Sequence, residues 1–160
     1  NDFLNMDSLI RIGTVKDLPQ VLNLIKDLAA FENEPNEVEV TITEMQNWGF
    51  GKDKIFDFFV IEIDNIIIGL ALYYFKYSTW KGKCLFLEDI IVKENFRNKG
   101  YGKKLFNAVV EVAKNTGVKR MEWQVLDWNK NAIEFYNKYQ ANLDSKWLNC
   151  KLNYSQLQSM

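Results

Sequence analysis

Gly100 and Gly102 stand in the run Phe96-Arg97-Asn98-Lys99-Gly100-Tyr101-Gly102-Lys103, which also carries three cations. Where such a run opens a helix, glycine lets backbone N–H groups come close to an anion. The positive end of the helix dipole favours negative charge there, and Arg97, Lys99 and Lys103 add formal charge of the right sign. A pyrophosphate fits that description. A Walker loop would need Gly-Lys-Ser/Thr and a dinucleotide turn a third glycine, and the run has neither. By itself it reads equally well as a tight strand-to-helix turn with solvated lysines.

Upstream, Leu87-Glu88-Asp89-Ile90-Ile91-Val92 sets two carboxylates in an otherwise apolar strand. A regular strand would point Glu88 and Asp89 to opposite faces. Unpaired burial of a carboxylate is costly, so the choice lies between a salt bridge to a nearby lysine and a functional role. The functional role would be to bind an amine and remove its proton. An alkylamine with a pKa of about 10.4 is over ~99.9% protonated at pH 7, and neutralising it costs about 4–5 kcal/mol. The chain has no histidine. That removes Ser-His-Asp and Cys-His machinery and nearly all transition-metal sites, so no metal is expected. Proton transfer falls to carboxylates, tyrosines, cysteines, lysines or water. The acidic stretch Glu32, Glu34, Glu37 and Glu39 is the least specific signal, since such a run is usually a solvated surface.

The elements that must hold these residues follow from periodicity. Leu9–Gly13 suits a strand, and Leu18, Val21, Leu22, Ile25, Leu28 and Ala29 mark one buried face of a helix with Pro19 in its first turn. Thr41–Trp48 is a weaker helix. Phe56–Ile63 and Ile66–Tyr77 form a hairpin about Asp64-Asn65, and Lys83–Val92 is a third long strand. Next come a helix ending at Thr116-Gly117, a strand over Val118–Leu126, a helix over Lys130–Tyr139 and a last strand over Trp147–Leu152. The expectation is an α/β (α+β) fold with a mixed, mostly antiparallel central sheet flanked by helices.

The 160 residues and 18.8 kDa suit a single domain over residues 1–160, with Asn1–Ser8 a disordered or expression-derived start. Twenty basic against 21 acidic residues leave no footprint for nucleic acid. No apolar run approaches the ~18 residues of a membrane span, and the start lacks a signal-peptide pattern, so a cytoplasmic protein is expected. Cys84 and Cys150 read as reduced thiols, with a disulfide as the alternative.

Arg97-x-x-Gly100-x-Gly102 resembles the Arg/Gln-x-x-Gly-x-Gly/Ala signature of the GNAT acetyltransferases. Leu87–Val92, Asp127-Trp128-Asn129, Phe135-Tyr136, Ile25–Ala29, Gly49-Phe50-Gly51 and Tyr73-Tyr74-Phe75-x-Tyr77-x-x-Trp80 are similar to the spermidine/spermine (diamine) N-acetyltransferase branch. The likeness runs from about Ile10 to Leu152. It implies an acetyl-CoA-dependent N-acetyltransferase acting by direct transfer on a primary amine of a small cationic metabolite. Protein or peptide acetylation and a non-catalytic acetyl-CoA-binding module are the alternatives.

The resemblance also implies roles. The backbone of Ile90, Ile91 and Val92 would pair with pantetheine, and Arg97, Asn98, Lys99, Gly100, Tyr101, Gly102 and Lys103 would hold the pyrophosphate. Asn129 would contact the cofactor near its thiol. Tyr136 would be the general acid that protonates the leaving thiolate. Glu88 would bind the amine and serve as general base, with Phe31, Glu32, Trp80 and Asp89 lining the amine site. Relatives form homodimers, so a homodimer is expected. Ser78-Thr79-Trp80 is similar to thialysine N-acetyltransferases, where long-polyamine members carry Asp-Pro-Trp.

Overall fold

The computed structural model describes residues 8–160; the expectation for the first seven residues lies outside them. The described chain divides into two compact units, one ending at Gln124 and one covering Val125–Met160.

In the first unit β1 (Leu9–Ile12), β2 (Asp57–Ile63), β3 (Ile66–Ser78), β4 (Gly82–Val92) and β5 (Met121–Glu122) lie side by side in chain order. The first three pairings are antiparallel and β4·β5 is parallel. Helices α1 (Leu18–Phe31) and α2 (Ile42–Phe50) precede β2, and α3 (Tyr101–Thr116) joins β4 to β5. The expected hairpin turn is present, with φ of 49° at Asp64 and 64° at Asn65. Two left-handed central residues match the right-handed twist of the flanking strands.

Cross-strand rows show what each face buries. Val60, Leu70 and Ile91 are successive partners and belong to one cluster with Leu18, Val21, Leu22 and Leu24 of α1 and Met45 of α2. The adjacent row, Ile61 and Gly69, faces the other way: a Cβ at Gly69 would lie 3.0 Å from Leu105 of α3. Glycine there lets α3 seat against the sheet, with Leu105, Phe106 and Val109 buried.

One network ties β1, β2 and the entry to α1. Arg11 grips both oxygens of buried Asp17 at 2.7 and 2.9 Å, and its Nε donates to Glu62 at 2.9 Å. Fork-to-carboxylate geometry of this kind is the strong form of an ion pair. It holds the Asp17 carboxyl below the usual aspartate range.

Two expected strands are corrected. Val118–Leu126 pairs only at Met121–Glu122, and Trp147–Leu152 is irregular. The second unit instead carries α4 (Lys130–Asn137) and α5 (Tyr154–Gln158). Both cysteines are free thiols, Cys84 buried and Cys150 exposed. Among the described residues no helix is long and apolar enough to cross a membrane.

Candidate active site

The register of β3 against β4 slips at one place. Leu72 faces Asp89 and Tyr73 faces Leu87, so Glu88 is an extra residue in β4. Such a bulge re-aims the side chains beside it. Asp89 shares its face with Leu72 and, two residues on, with Ile91, on the side covered by α1. Glu88 reaches Tyr74, which lies on that same face with its ring 5.3 Å from that of Phe86. The expectation of opposite faces therefore fails for a definite reason: alternation assumes a regular strand, and the strand is bulged where both acids sit.

A third carboxylate joins them. Glu32 is the residue that ends α1, its N–H bonded to Leu28 at 2.9 Å. Burial raises its pKa. Asp89 is pushed further, to about 7, by burial first and then by the charges of Glu88 and Glu32. Like charges in a poorly hydrated place oppose one another's ionisation, and a cation among them would relieve the cost. Glu32 and Glu88 thus lie close enough for their charges to act on Asp89.

It does not bring Trp80 to them. Ser78 pairs with Gly82, which places Trp80 at the hairpin tip, 78% exposed. Glu88 lies six residue steps along β4 from Gly82, about 20 Å at the usual rise. Ser78 has work of its own in that turn. Its hydroxyl oxygen accepts the N–H groups of Trp80 and Lys81 at 3.2 Å and a guanidinium N–H of Arg120 at 3.1 Å.

Beyond the bulge β4 loses its neighbour on one side. Its pairing with β5 covers Leu85 and Phe86 alone. On the other side Lys93 donates to the Ile68 carbonyl at 2.9 Å. In an antiparallel ladder consecutive residues turn their backbone groups to alternate edges. Asp89 and Ile91 therefore bond toward β3, while Ile90 and Val92 present N–H and C=O to the open edge. The Val92 carbonyl accepts Nε of Arg97 at 3.0 Å.

The glycine run follows at once. Asn98 has φ 60° and Gly100 φ 84°, and Lys99 between them does not share that hand. Alternating hands make a concave row of N–H groups suited to an anion. Gly100 caps α3, and Lys104 N–H is bonded back to its carbonyl at 3.1 Å. The N–H groups of the first turn, at Tyr101, Gly102 and Lys103, have no acceptor within the helix itself. A Cβ at Gly100 or Gly102 would meet nothing within 4 Å, so the space above the turn is open. Open space, first-turn donors and lysines suit a pyrophosphate. Among the described residues no group of three or more His, Cys, Asp or Glu could hold a metal ion.

In the second unit, Asn129 caps α4 by accepting the Ala132 N–H at 3.2 Å. Tyr136 is buried on α4 and packs edge-on to Phe135 at 5.3 Å. Sequence reasoning missed Tyr74 as a neighbour of Glu88. Only the strand register reveals it, because Tyr73, Tyr74 and Phe75 are equally plausible from composition.

A glycine turn into a helix, an open-edged bulged strand before it and a mixed sheet with helices on both faces make an α/β fold with room for an anion at the start of α3. The model of the Acetyltransferase (GNAT) family matches residues 21–141. The chain belongs to that family and is an acetyltransferase. It is 37% identical over 136 residues to thialysine N-epsilon-acetyltransferase of Bos taurus, covering 80% of each chain. It is 33% identical over 134 residues to spermidine/spermine N(1)-acetyltransferase-like protein 1 of Homo sapiens, covering 79% of this chain and 19% of that protein. An aminoglycoside N-acetyltransferase solved in complex with CoA superposes with a TM-score of 0.73 at 18% identity, over 92% of this chain and 96% of the other.

Proposed function

We propose that the chain transfers acetyl from acetyl-CoA to the primary amine of a small cationic metabolite of the thialysine, lysine-like or short-diamine kind. The observation that carries this reading is the β4 bulge. One extra residue turns Glu88 and Asp89 onto the face where Glu32 ends α1, and the same strand runs on with a free edge into the glycine turn. A cluster suited to a cation and a turn suited to an anion so follow one another at the same end of β4.

Acetyl-CoA supplies an activated thioester; the chain supplies binding and proton handling. The first-turn N–H groups of α3, with Lys99 and Lys103, hold the pyrophosphate. The outward backbone of Ile90 and Val92 pairs with the pantetheine arm, and the Ile90 N–H polarises the thioester carbonyl. The substrate arrives as an ammonium ion and is drawn to the three carboxylates. Glu88, through a water, takes its proton, and the free amine then attacks. Tyr136 donates its phenolic proton to the departing thiolate; a phenol near pKa 10 can do so to a thiol near 8.5 at modest cost. No acyl-enzyme is required. Cys84 is wholly buried and the chain has no histidine to activate it.

The functional unit is proposed to be a homodimer. Trp80 stands too far along the hairpin to serve the carboxylates of its own chain, yet it is one of the most exposed aromatic side chains. In a dimer it can reach the partner's amine site. Mixing Trp80→Ala with Glu88→Gln protein tests this, because activity regained on mixing requires a shared site.

The assay that tests the function is thiol release from acetyl-CoA with thialysine, lysine, diamines, polyamines and a lysine peptide. Release with small amines is expected. Release with the peptide alone would move the chain to protein acetylation, and tight CoA binding without release under any condition would make it a binding module.

A further inference from the structure

Tyr74 lies in β3 directly across from Phe86, two residues before the bulge that carries Glu88. The two rings are 5.3 Å apart at 32°, and Lys76, the next residue on that face, places its ammonium 5.5 Å from the Phe86 ring. Tyr74 is therefore gripped along its length, and its hydroxyl is delivered to a fixed place. The strand register sets that place beside Glu88, one diagonal step along the same face and within reach of the hydroxyl.

Glu88 needs such a partner. It is exposed, it lies on the extra residue of a bulge, and a bulged residue is left out of the ladder that orients its neighbours. A free glutamate side chain samples many rotamers, and fixing it costs entropy on each substrate encounter. We propose that Tyr74 is a positioning residue: its hydroxyl, anchored by Phe86, holds the Glu88 carboxylate toward the amine alongside Asp89. The inference rests on the assignment of Glu88 to the amine site made above.

The hydroxyl is suited to that task at every working pH. Burial first, then the charge of nearby Glu88, push it up to about 12, so it remains a donor. A donor that cannot ionise keeps one oxygen of Glu88 occupied and leaves the other to water or substrate. Leu72 would not serve in its place, being apolar and opposite Asp89, and Tyr73 faces the other side of the sheet, stacked on Phe59 at 5.9 Å.

The test is a double-mutant cycle on the full-length protein with Tyr74→Phe, Glu88→Gln and the pair, read as kcat and KM for the amine. CoA affinity and Tm are measured beside them. Tyr74→Phe keeps the ring and its contact with Phe86, so CoA affinity should stay within twofold and the melting curve should barely move. Amine kcat/KM should fall about tenfold, as expected for losing a hydrogen bond to a charged group. In the Glu88→Gln background the same change should cost less than twofold, since there is no carboxylate left to hold. Equal losses in both backgrounds would overturn the proposal, because Tyr74 would then act on the fold rather than on Glu88. Wild-type kinetics for Tyr74→Phe beside an impaired Glu88→Gln would overturn it too, while sparing the function. A fully active Glu88→Gln would remove the Glu88 assignment and the role of Tyr74 with it.

Discussion

The guanidinium of Arg97 lies 5.3 Å over the ring of Phe31 while its Nε donates to the Val92 carbonyl at 3.0 Å. Arg97, which opens the Arg-x-x-Gly-x-Gly signature, is thus bound to the end of β4 and to the last residue of α1. Glu32 follows Phe31 directly, so the turn proposed to hold the pyrophosphate and the acidic cluster share a mechanical link. Phe31→Ala removes the ring, and an exposed cation–π contact is worth about 0.5–1 kcal/mol. Calorimetry on Phe31→Ala should therefore show CoA affinity reduced about two- to fivefold, and amine KM should rise. Unchanged CoA affinity would mean that Arg97 gains nothing from Phe31.

The two glycines of the turn should fail in different ways. Gly100 has φ 84°, and an L side chain in that region costs about 1–2 kcal/mol. Gly100→Ala should therefore lower stability in denaturant titration whether or not CoA is present. Gly102 is not left-handed, and a Cβ there meets nothing within 4 Å. Gly102→Val should fold with wild-type stability yet lose CoA affinity tenfold or more, about 1.4 kcal/mol, because its branches enter the space read as the pyrophosphate site. Normal CoA binding by a folded Gly102→Val would vacate that assignment.

Much of this was legible in sequence, and the part that was not has a common cause. The buried face of α1, the Asp64-Asn65 hairpin and the glycine turn are local patterns, and each stands where periodicity or backbone conformation requires. The bulge at Glu88 is a property of two strands at once. No single-strand pattern can reveal that Leu72 pairs with Asp89 while Tyr73 pairs with Leu87. The same holds for Val118–Leu126, whose composition suits a strand but whose partner offers pairing only at Leu85 and Phe86. Trp147, Leu148 and Leu152 likewise have the residue types of a strand, and all three side chains are exposed.

Asp89 should show the conflict between stability and function. Its folded pKa, about 7, exceeds the ordinary aspartate value of 3.8. The folded state then binds more protons than the unfolded one between those values, so Asp89 favours folding below pH 3.8 and progressively less as pH rises toward 7. The slope is at most about 1.4 kcal/mol per pH unit. Asp89→Asn should therefore raise Tm at pH 8, with a gain that shrinks as pH falls to 4, while amine turnover declines. A Tm difference that is flat with pH would mean that Asp89 is already ionised at little cost.

Asp17 has the opposite sign. Arg11 and the Thr14 N–H, the latter at 2.7 Å, hold its carboxyl below the usual value of 3.8. Its stabilisation is complete above pH 3.8 and is lost as pH falls through the lowered folded value. Asp17→Asn should destabilise the protein by about 2 kcal/mol at pH 7, the scale of a charge-assisted hydrogen bond. Urea titrations at pH 7 and pH 3 should show the gap between variant and parent narrowing in acid. A constant gap would make the loss one of packing or turn geometry.

The proposed amine preference rests on the charges present and the one that is missing. In the proposed site Glu32, Glu88 and Asp89 would serve a single ammonium, and a long polyamine carries further ammonium groups that need partners at a distance. At the hairpin the chain has Ser78, a neutral residue whose oxygen already accepts from Trp80, Lys81 and Arg120. It has little left to offer a cation. A charged hydrogen bond to an ammonium is worth about 1.5–3 kcal/mol, so its absence costs roughly ten- to a hundredfold in affinity. Thialysine, lysine-like amines and short diamines should therefore show higher kcat/KM than spermine in side-by-side assays. Ser78→Asp should narrow the difference only in part, because Arg120 stands at 3.1 Å from the Ser78 oxygen and would neutralise the new carboxylate. Pairing Ser78→Asp with Arg120→Gln should then release more of the gain toward spermine. If spermine outperforms thialysine in the parent protein, selectivity is set away from Ser78, and the ranking reverses while the acetyltransferase chemistry stands.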